Sequence, residues 1–345
     1  MSTVPPSQRP ILITMGDPAG IGPETVVQLF RRWPALTRGC VVVGDVACLR
    51  RAIQVTGGSL PVAVLQAPTD VADVPPDCLP VWPAGGLEAP VPWGLVSAAA
   101  GRAAAAAIEQ GARAALRGEA AALVTAPIHK EALAAAGIPH PGHTEYLQAL
   151  AAEHLGVAPS ALPVRMMLSN EELRTVLVSI HVSLREAIER VTVDNVLQTL
   201  RITHRHWLEV LGRQGCRIAV AGLNPHAGEG GLFGREEIDA IAPAIVRARA
   251  EGIDAHGPYA PDTVFMRARR GEFDVVVAMY HDQGLIPVKY MGLSEGVNTT
   301  LGLPFVRTSP DHGTAFDLAG TGRADPASLL QAIRQASIGE RVSGF

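Results

Sequence analysis

Four apolar runs in this chain end in the same way, and the repetition is the first sign of chemistry. They read LVTAPIHK to Lys130, LVSIH to His181, AVAGLNPH to His226 and VVAMYHDQG to Gly284. Each carries a histidine within a few residues of its end, and the whole sequence holds only 11 histidines. A single histidine there is more often a satisfied hydrogen-bonding group than a ligand; four together favour a common site. In open α/β sheets, ligands bind beyond the carboxyl ends of the strands, where side chains and helix N-termini converge. His181, His226 and His281 are therefore the candidate metal triad. Three neutral imidazoles leave coordination positions open for substrate oxygens, as a catalytic rather than a structural ion requires. Separations of 45 and 55 residues exclude a local finger, so the fold or a second subunit has to unite them. Asp282 follows one candidate directly, and Asp262 stands in the segment GPYAPDT. Either carboxylate could orient an imidazole or add a ligand.

A second group of residues suits an anion. GHTEYL puts His143 and Thr144 at the start of a helix, where free main-chain N–H groups favour negative charge. The plainer reading makes Thr144 an N-cap with Glu145 in the first turn, and both can hold. Lys289, Asn298 and Arg307 stand in otherwise apolar surroundings (IPVKYM, GVNTTLGLP, FVRTS). Two cations and an amide match a phosphate and a carboxylate, with the arginine able to bind as a fork. Of 29 basic residues only Lys130 and Lys289 are lysines. A lysine retained against such a bias points to a compact or titrating charge, a task the guanidinium does poorly.

The elements that position these residues alternate. Strands are expected at 11–14, 41–44, 123–126, 174–180, 217–221 and 274–279, and helices at 24–32, 97–116, 130–136, 144–155, 193–211 and 236–250. Val- and Ile-rich runs alternating with helix-period segments give an α/β class with a largely parallel sheet. Gly118, Gly137, Gly156, Gly212 and Gly252 are placed to end helices in the left-handed conformation. The Pro-rich stretch 66–92 reads as a long excursion or an edge element. GDPAGIGPE follows the first strand and opens a helix, but its glycines fall as GxxxGxG, not as the dinucleotide fingerprint. GEGGLFG misses that register too, so spacing alone reveals no nicotinamide site.

Composition sets the outer bounds. At 345 residues about two domains are expected. A net charge of −4 gives no reason to expect nucleic acid or an anionic membrane as partner. No apolar run is long enough for a membrane span, and the Pro/Ser start lacks the apolar core of a signal peptide. Cys40, Cys48, Cys78 and Cys216 have no CxxC spacing and read as buried, reduced thiols. A cytoplasmic location follows.

Seven segments carry a resemblance: MGDPAGIGPE, TAPIHK, GHTEYL, LNPHAGEGGLFGREE, GPYAPDTVF, YHDQGLIPVKY and GVNTTLGLPFVRTSPDHGTAFDLAG. In this order, from about Ile11 to about Leu330, they resemble the 4-hydroxythreonine-4-phosphate dehydrogenases of pyridoxal-phosphate synthesis. The resemblance implies an isocitrate/isopropylmalate dehydrogenase-like fold with two α/β/α domains around a cleft. The domains are expected at 1–140 plus 305–345, for the cofactor, and at 141–304, for metal, substrate and dimerisation. It implies a divalent ion (zinc, magnesium or cobalt) on His181, His226 and His281, and substrate contacts from His143, Thr144, Lys289, Asn298 and Arg307. It also implies a homodimer in which one metal ligand comes from the partner chain. HGTAFDLAGTGRADP looks like the adenosine-binding loop of the β-decarboxylating enzymes, which assigns NAD or NADP to His312, Gly313, Thr314 and Asp317. His143 or Asp262 is the expected general base, and Lys289 a phosphate ligand or proton relay. Relatives acting on threonate or erythronate phosphates, or on an aromatic dihydrodiol, fit the same motifs. Two other classes remain: a three-histidine metal hydrolase or aldolase, and a non-catalytic sensor of a phosphorylated metabolite.

Overall fold

The computed structural model describes residues 9–292 and 296–338, so the Pro/Ser start up to Gln8 lies outside the described residues. The chain runs β1 (Ile11–Thr14), α1 (Gly22–Arg32), β2 (Cys40–Gly44), α2 (Val46–Val55), β3 (Val62–Val64), β4 (Leu79–Pro83), α3 (Ala98–Leu116), β5 (Ala122–Thr125), α4 (Lys130–Ala135) and α5 (His143–Leu155). It continues through β6 (Arg165–Ser169), β7 (Arg174–Leu177), α6 (Leu184–Glu189), α7 (Val193–Arg205), β8 (Ile218–Ala221) and α8 (Ala242–Ala250). Then come β9 (Ala255–Tyr259), α9 (Val264–Arg269), β10 (Val275–Ala278), α10 (His281–Tyr290), β11 (Val297–Leu301), β12 (Val306–Pro310) and α11 (Ala327–Ile338). Packing divides it into Met1–Pro163 with Leu303–Phe345, and Val164–Gly302. The helix that opens at His143 thus packs with the first unit, against α3, beyond the expected crossing at 140/141.

In the first unit the strands lie in the order β3-β4-β2-β1-β5-β12, and every pairing is parallel. Their side chains alternate between two covered faces, which is why VVV and ILIT read as continuous apolar runs. Leu12 pairs with Leu123, Thr14 with Thr125, and Leu123 with Arg307, so these residues share one face. Thr308 points the other way and donates to the Ala332 carbonyl of α11 at 2.8 Å. α3 covers the first face with a row of buried alanines (Ala100, Ala103, Ala104, Ala107) small enough for close approach.

In the second unit the order is β11-β6-β7-β10-β8-β9. β11–β6 and β6–β7 are antiparallel and the remaining pairs parallel. Val275 and Val277 face the layer of α7 and α8 with Leu200, Trp207 and Ile245. Val276 and Ala278 face α9 and α10 with Val264, Leu285 and Val288. Burying each such side chain contributes about 1.5–3 kcal/mol, which fixes the strand register and with it the loops at the strand ends.

The structure is α/β, as the alternation requires. All five expected cap glycines have positive φ, between 60° and 83°. The Pro-rich stretch is more ordered than its composition indicated: β4 lies inside the sheet, with Leu79 and Val81 fully buried, and β3 forms the edge. α7 ends six residues early and passes into a wide turn in which Leu211 N–H donates to the His206 carbonyl.

Candidate active site

The second unit gathers the histidines. The ends of β7 and β10 are tied by Val178 N–H to the Ala278 carbonyl (2.9 Å) and by Ser179 Oγ to the Met279 carbonyl (2.9 Å). This brings the rings of His181 and His281 to 5.6 Å between centroids. His181 takes φ +49°, a conformation that costs a non-glycine residue energy and is held by its surroundings. His281 opens α10, and its Nδ1 lies 2.7 Å from Asp282 Oδ1, which orients the ring and leaves Nε2 for a ligand. Gln283 accepts from Met279 N–H (2.7 Å) and donates to the Gly222 carbonyl (2.7 Å), joining the ends of β10 and β8.

His226 lies beyond β8 in a loop where five successive residues, His226 to Gly230, are left-handed. Such a loop needs an internal anchor, and Glu237 supplies it. One carboxylate oxygen accepts from Leu223 N–H and Asn224 N–H (both 2.7 Å), the other from Asn224 Nδ2 (2.9 Å). His226, Asp262, Tyr280, Asp282 and Gln283 line one cavity of about 680 Å³. Among the described residues, no three His, Cys, Asp or Glu side chains of one chain stand close enough to share an ion. The single chain pairs His181 with His281 and sets His226 in the cavity that Asp282 also lines. Lys289 is half-buried in the last turn of α10, and Asn298 is half-buried in β11 opposite Leu168.

The first unit holds the anion residues. Arg307 is only 2% exposed, and its Nη2 donates to Thr125 Oγ1 at 2.6 Å. Burial brings its pKa down to about 10, against the pull of Glu145, so it stays charged at neutral pH. His143 is the first residue of α5, and its Nε2 is enclosed without a hydrogen-bond partner. Burial first, and the charge of Arg307 second, hold its pKa well below the ordinary histidine value. The imidazole is therefore neutral. Gly142, not Thr144, is the N-cap and has no side chain to cap with, so the first-turn N–H groups remain available. Thr144 is half-buried within that turn.

In the loop after β12, His312, Gly313 and Asp317 are exposed, while Thr314 is buried and its carbonyl accepts from Ile21 N–H at 3.0 Å. Sequence reasoning missed several residues. Thr125, Gln283 and Glu237 are three. Asp17 is wholly buried, with Oδ2 unpartnered and a carboxyl pKa raised by burial against the Ala19 N–H bond and His129. His129, of the strand-end run LVTAPIHK, stacks on Phe316 at 4.7 Å. The glycines around Asp17 and the position of His129 were the available signals. Among the described residues no helix is long and apolar enough to cross a membrane, and Cys40, Cys48 and Cys216 are buried free thiols.

Residues 37–336 match the family model for the pyridoxal phosphate biosynthetic protein PdxA. A 4-hydroxythreonine-4-phosphate dehydrogenase of Beijerinckia indica is 54% identical over 95% of this chain and 94% of its own. The solved structure of the enzyme of that name from Klebsiella pneumoniae is 40% identical, with TM-score 0.87 over 96% of this chain and 98% of that one. A terephthalate 1,2-cis-dihydrodiol dehydrogenase from Burkholderia xenovorans is more distant, 31% identical with TM-score 0.67 over 96% and 98%. The chain belongs to the PdxA family and is an oxidoreductase of that family.

Proposed function

We propose that this enzyme oxidises 4-phosphohydroxy-L-threonine at C3 with NAD or NADP and releases carbon dioxide to give 3-amino-2-oxopropyl phosphate, a step towards pyridoxine 5′-phosphate. The observation that carries this reading is Arg307: a guanidinium 2% exposed, charged, and beside the uncapped start of α5. A phosphate matches these groups through the arginine fork, the first-turn N–H groups and Thr144. A neutral His143 can donate to the same anion without adding charge. Lys289 and Asn298 are the further candidate substrate contacts, Lys289 as a phosphate ligand.

A divalent ion (zinc, magnesium or cobalt) on His181, His226 and His281 would supply Lewis-acid polarisation of the C3 hydroxyl and of the ketone that replaces it. The donor set fits in kind: two imidazoles 5.6 Å apart between centroids, one already oriented by a carboxylate. A third donor, across a cytoplasmic homodimer, completes the set. The nicotinamide supplies the hydride acceptor. Asp262, which lines the cavity with His226, takes the hydroxyl proton as the C3 hydride leaves. His143 suits this role less, because a pKa far below neutrality makes a weak base. The resulting β-keto acid loses carbon dioxide, the bonding electrons pass into an enolate, and protonation of its carbon gives the ketone.

The test follows reduced cofactor by absorbance, with 4-phosphohydroxy-L-threonine, D-threonate 4-phosphate, D-erythronate 4-phosphate and an aromatic cis-dihydrodiol, with and without divalent metal. Metal-dependent turnover of the first is expected. Turnover confined to one of the others, or undiminished by chelation, would overturn the reading.

A further inference from the structure

The glycine-rich piece GDPAGIGPE is given no role above, yet it contacts the loop 312–322 at several points. Ile21 N–H donates to the Thr314 carbonyl (3.0 Å), and Gly20 lies so close to Thr314 that a Cβ there would stand 3.0 Å from its side chain. Glu24, in the first turn of α1, is wholly buried. One of its carboxylate oxygens accepts from Gly320 N–H and the other from Gly322 N–H at 2.8 Å. Gln28, one helical turn on, is 3% exposed and donates to the Gly322 carbonyl at 3.2 Å.

The far side of the loop is equally confined. Gly320 (φ +82°) lies against the ring of Trp93, which the Arg51 guanidinium covers at 3.7 Å from the ring centroid. Gly322 (φ +69°) lies against the Val55 carbonyl. No side chain fits at either glycine, and the left-handed backbone would strain any other residue. A buried carboxylate accepting two main-chain N–H groups is a costly device, since burial works against its charge. What the device secures is the backbone path of the loop.

We infer that Glu24, seconded by Gln28, is the positioning residue that holds the loop 312–322 in its cofactor-binding shape before the dinucleotide arrives. This rests on the reading of that loop as the NAD site. A ligand that meets a preformed loop does not bear the entropy of ordering it, so the clamp acts on cofactor affinity and not on the chemical step.

The experiment measures NADH binding to the metal-loaded protein, without substrate, by nucleotide fluorescence, for the unaltered chain, Glu24→Gln and Gln28→Leu. The glutamine amide keeps one acceptor and turns a donor towards the second glycine N–H. The NADH dissociation constant should rise roughly ten- to a hundredfold in Glu24→Gln, the size of a lost charge-assisted hydrogen bond, and a few-fold in Gln28→Leu. The KM for NAD should rise with it, while kcat at saturating NAD, the KM for the phosphorylated substrate and bound metal stay near their original values. Amide exchange at Gly320 and Gly322 should quicken. Unchanged NADH affinity in folded Glu24→Gln overturns the inference, as does an equal loss of substrate or metal binding. Should that variant not fold, unchanged affinity in Gln28→Leu overturns it. No NADH binding by the unaltered chain would overturn the cofactor reading itself, and this role of Glu24 with it.

Discussion

Arg307 and Thr125 stand on adjacent parallel strands, their side chains on the same face, and Nη2 of the arginine donates to the threonine hydroxyl at 2.6 Å. That bond fixes the direction in which a buried cation presents its remaining donors. Thr125→Val keeps shape and removes the acceptor. It should raise KM for the phosphorylated substrate about fivefold, the worth of a hydrogen bond near 1 kcal/mol, with kcat little changed. Thr125→Ser should restore it. Steady-state kinetics decide, and an unchanged KM would remove Thr125 from the site.

The same guanidinium acts on His143. Its charge is the second cause of the depressed histidine pKa, after burial. Arg307→Gln should therefore raise the His143 pKa while leaving it below that of an exposed histidine. Histidine ring signals followed by NMR against pH give the answer, and no movement, or a fall, would contradict the stated causes.

His206 makes the chain acid-sensitive. Burial lowers its pKa to about 4, against about 6.5 unfolded. Below pH 6.5 the unfolded chain takes up a proton that the folded chain refuses. The stabilisation is thus complete above that value and is lost as pH falls towards 4, by up to roughly 3 kcal/mol. His206→Phe should show a smaller drop in Tm between about pH 7 and about pH 5 than the unaltered chain. Equal drops would mean that His206 does not titrate as its burial requires.

Glu237 touches no candidate ligand directly, yet three of its contacts hold the start of the loop that carries His226. Glu237→Ala should weaken divalent-ion binding by about ten- to a hundredfold, as loss of an outer partner commonly does. Calorimetric titration of the ion into the folded variant checks this, and unaltered affinity would place the loop outside the metal site.

Much of this was legible in the sequence, for identifiable reasons. Strand ends carry function in α/β sheets, so the histidines at 181, 226 and 281 stood out by position. The cap glycines stood out because few other residues tolerate positive φ. β11 and β12 escaped because most of their buried residues are polar: Thr299, Thr300, Thr308 and Arg307 are each at most 2% exposed. A hydrophobicity pattern cannot find such strands. α2 escaped although Asp45 caps it through Cys48 N–H at 2.7 Å and its apolar residues recur at helical spacing. It is short and follows a strand with almost no loop. Glu24 and Glu237 read as ordinary first-turn acids. Their partners are main-chain N–H groups, which no residue type announces, and for Glu24 those lie 296 and 298 positions away.

The proposed chemistry depends most on the three imidazoles sharing one ion. Equilibrium dialysis of a divalent ion against the unaltered chain and against His181→Ala, His226→Ala and His281→Ala measures this directly. One ion per protomer, lost in each variant while the fold persists, is the expected result. Full binding by His226→Ala would contradict it, because the cation would then rest on a different set of donors.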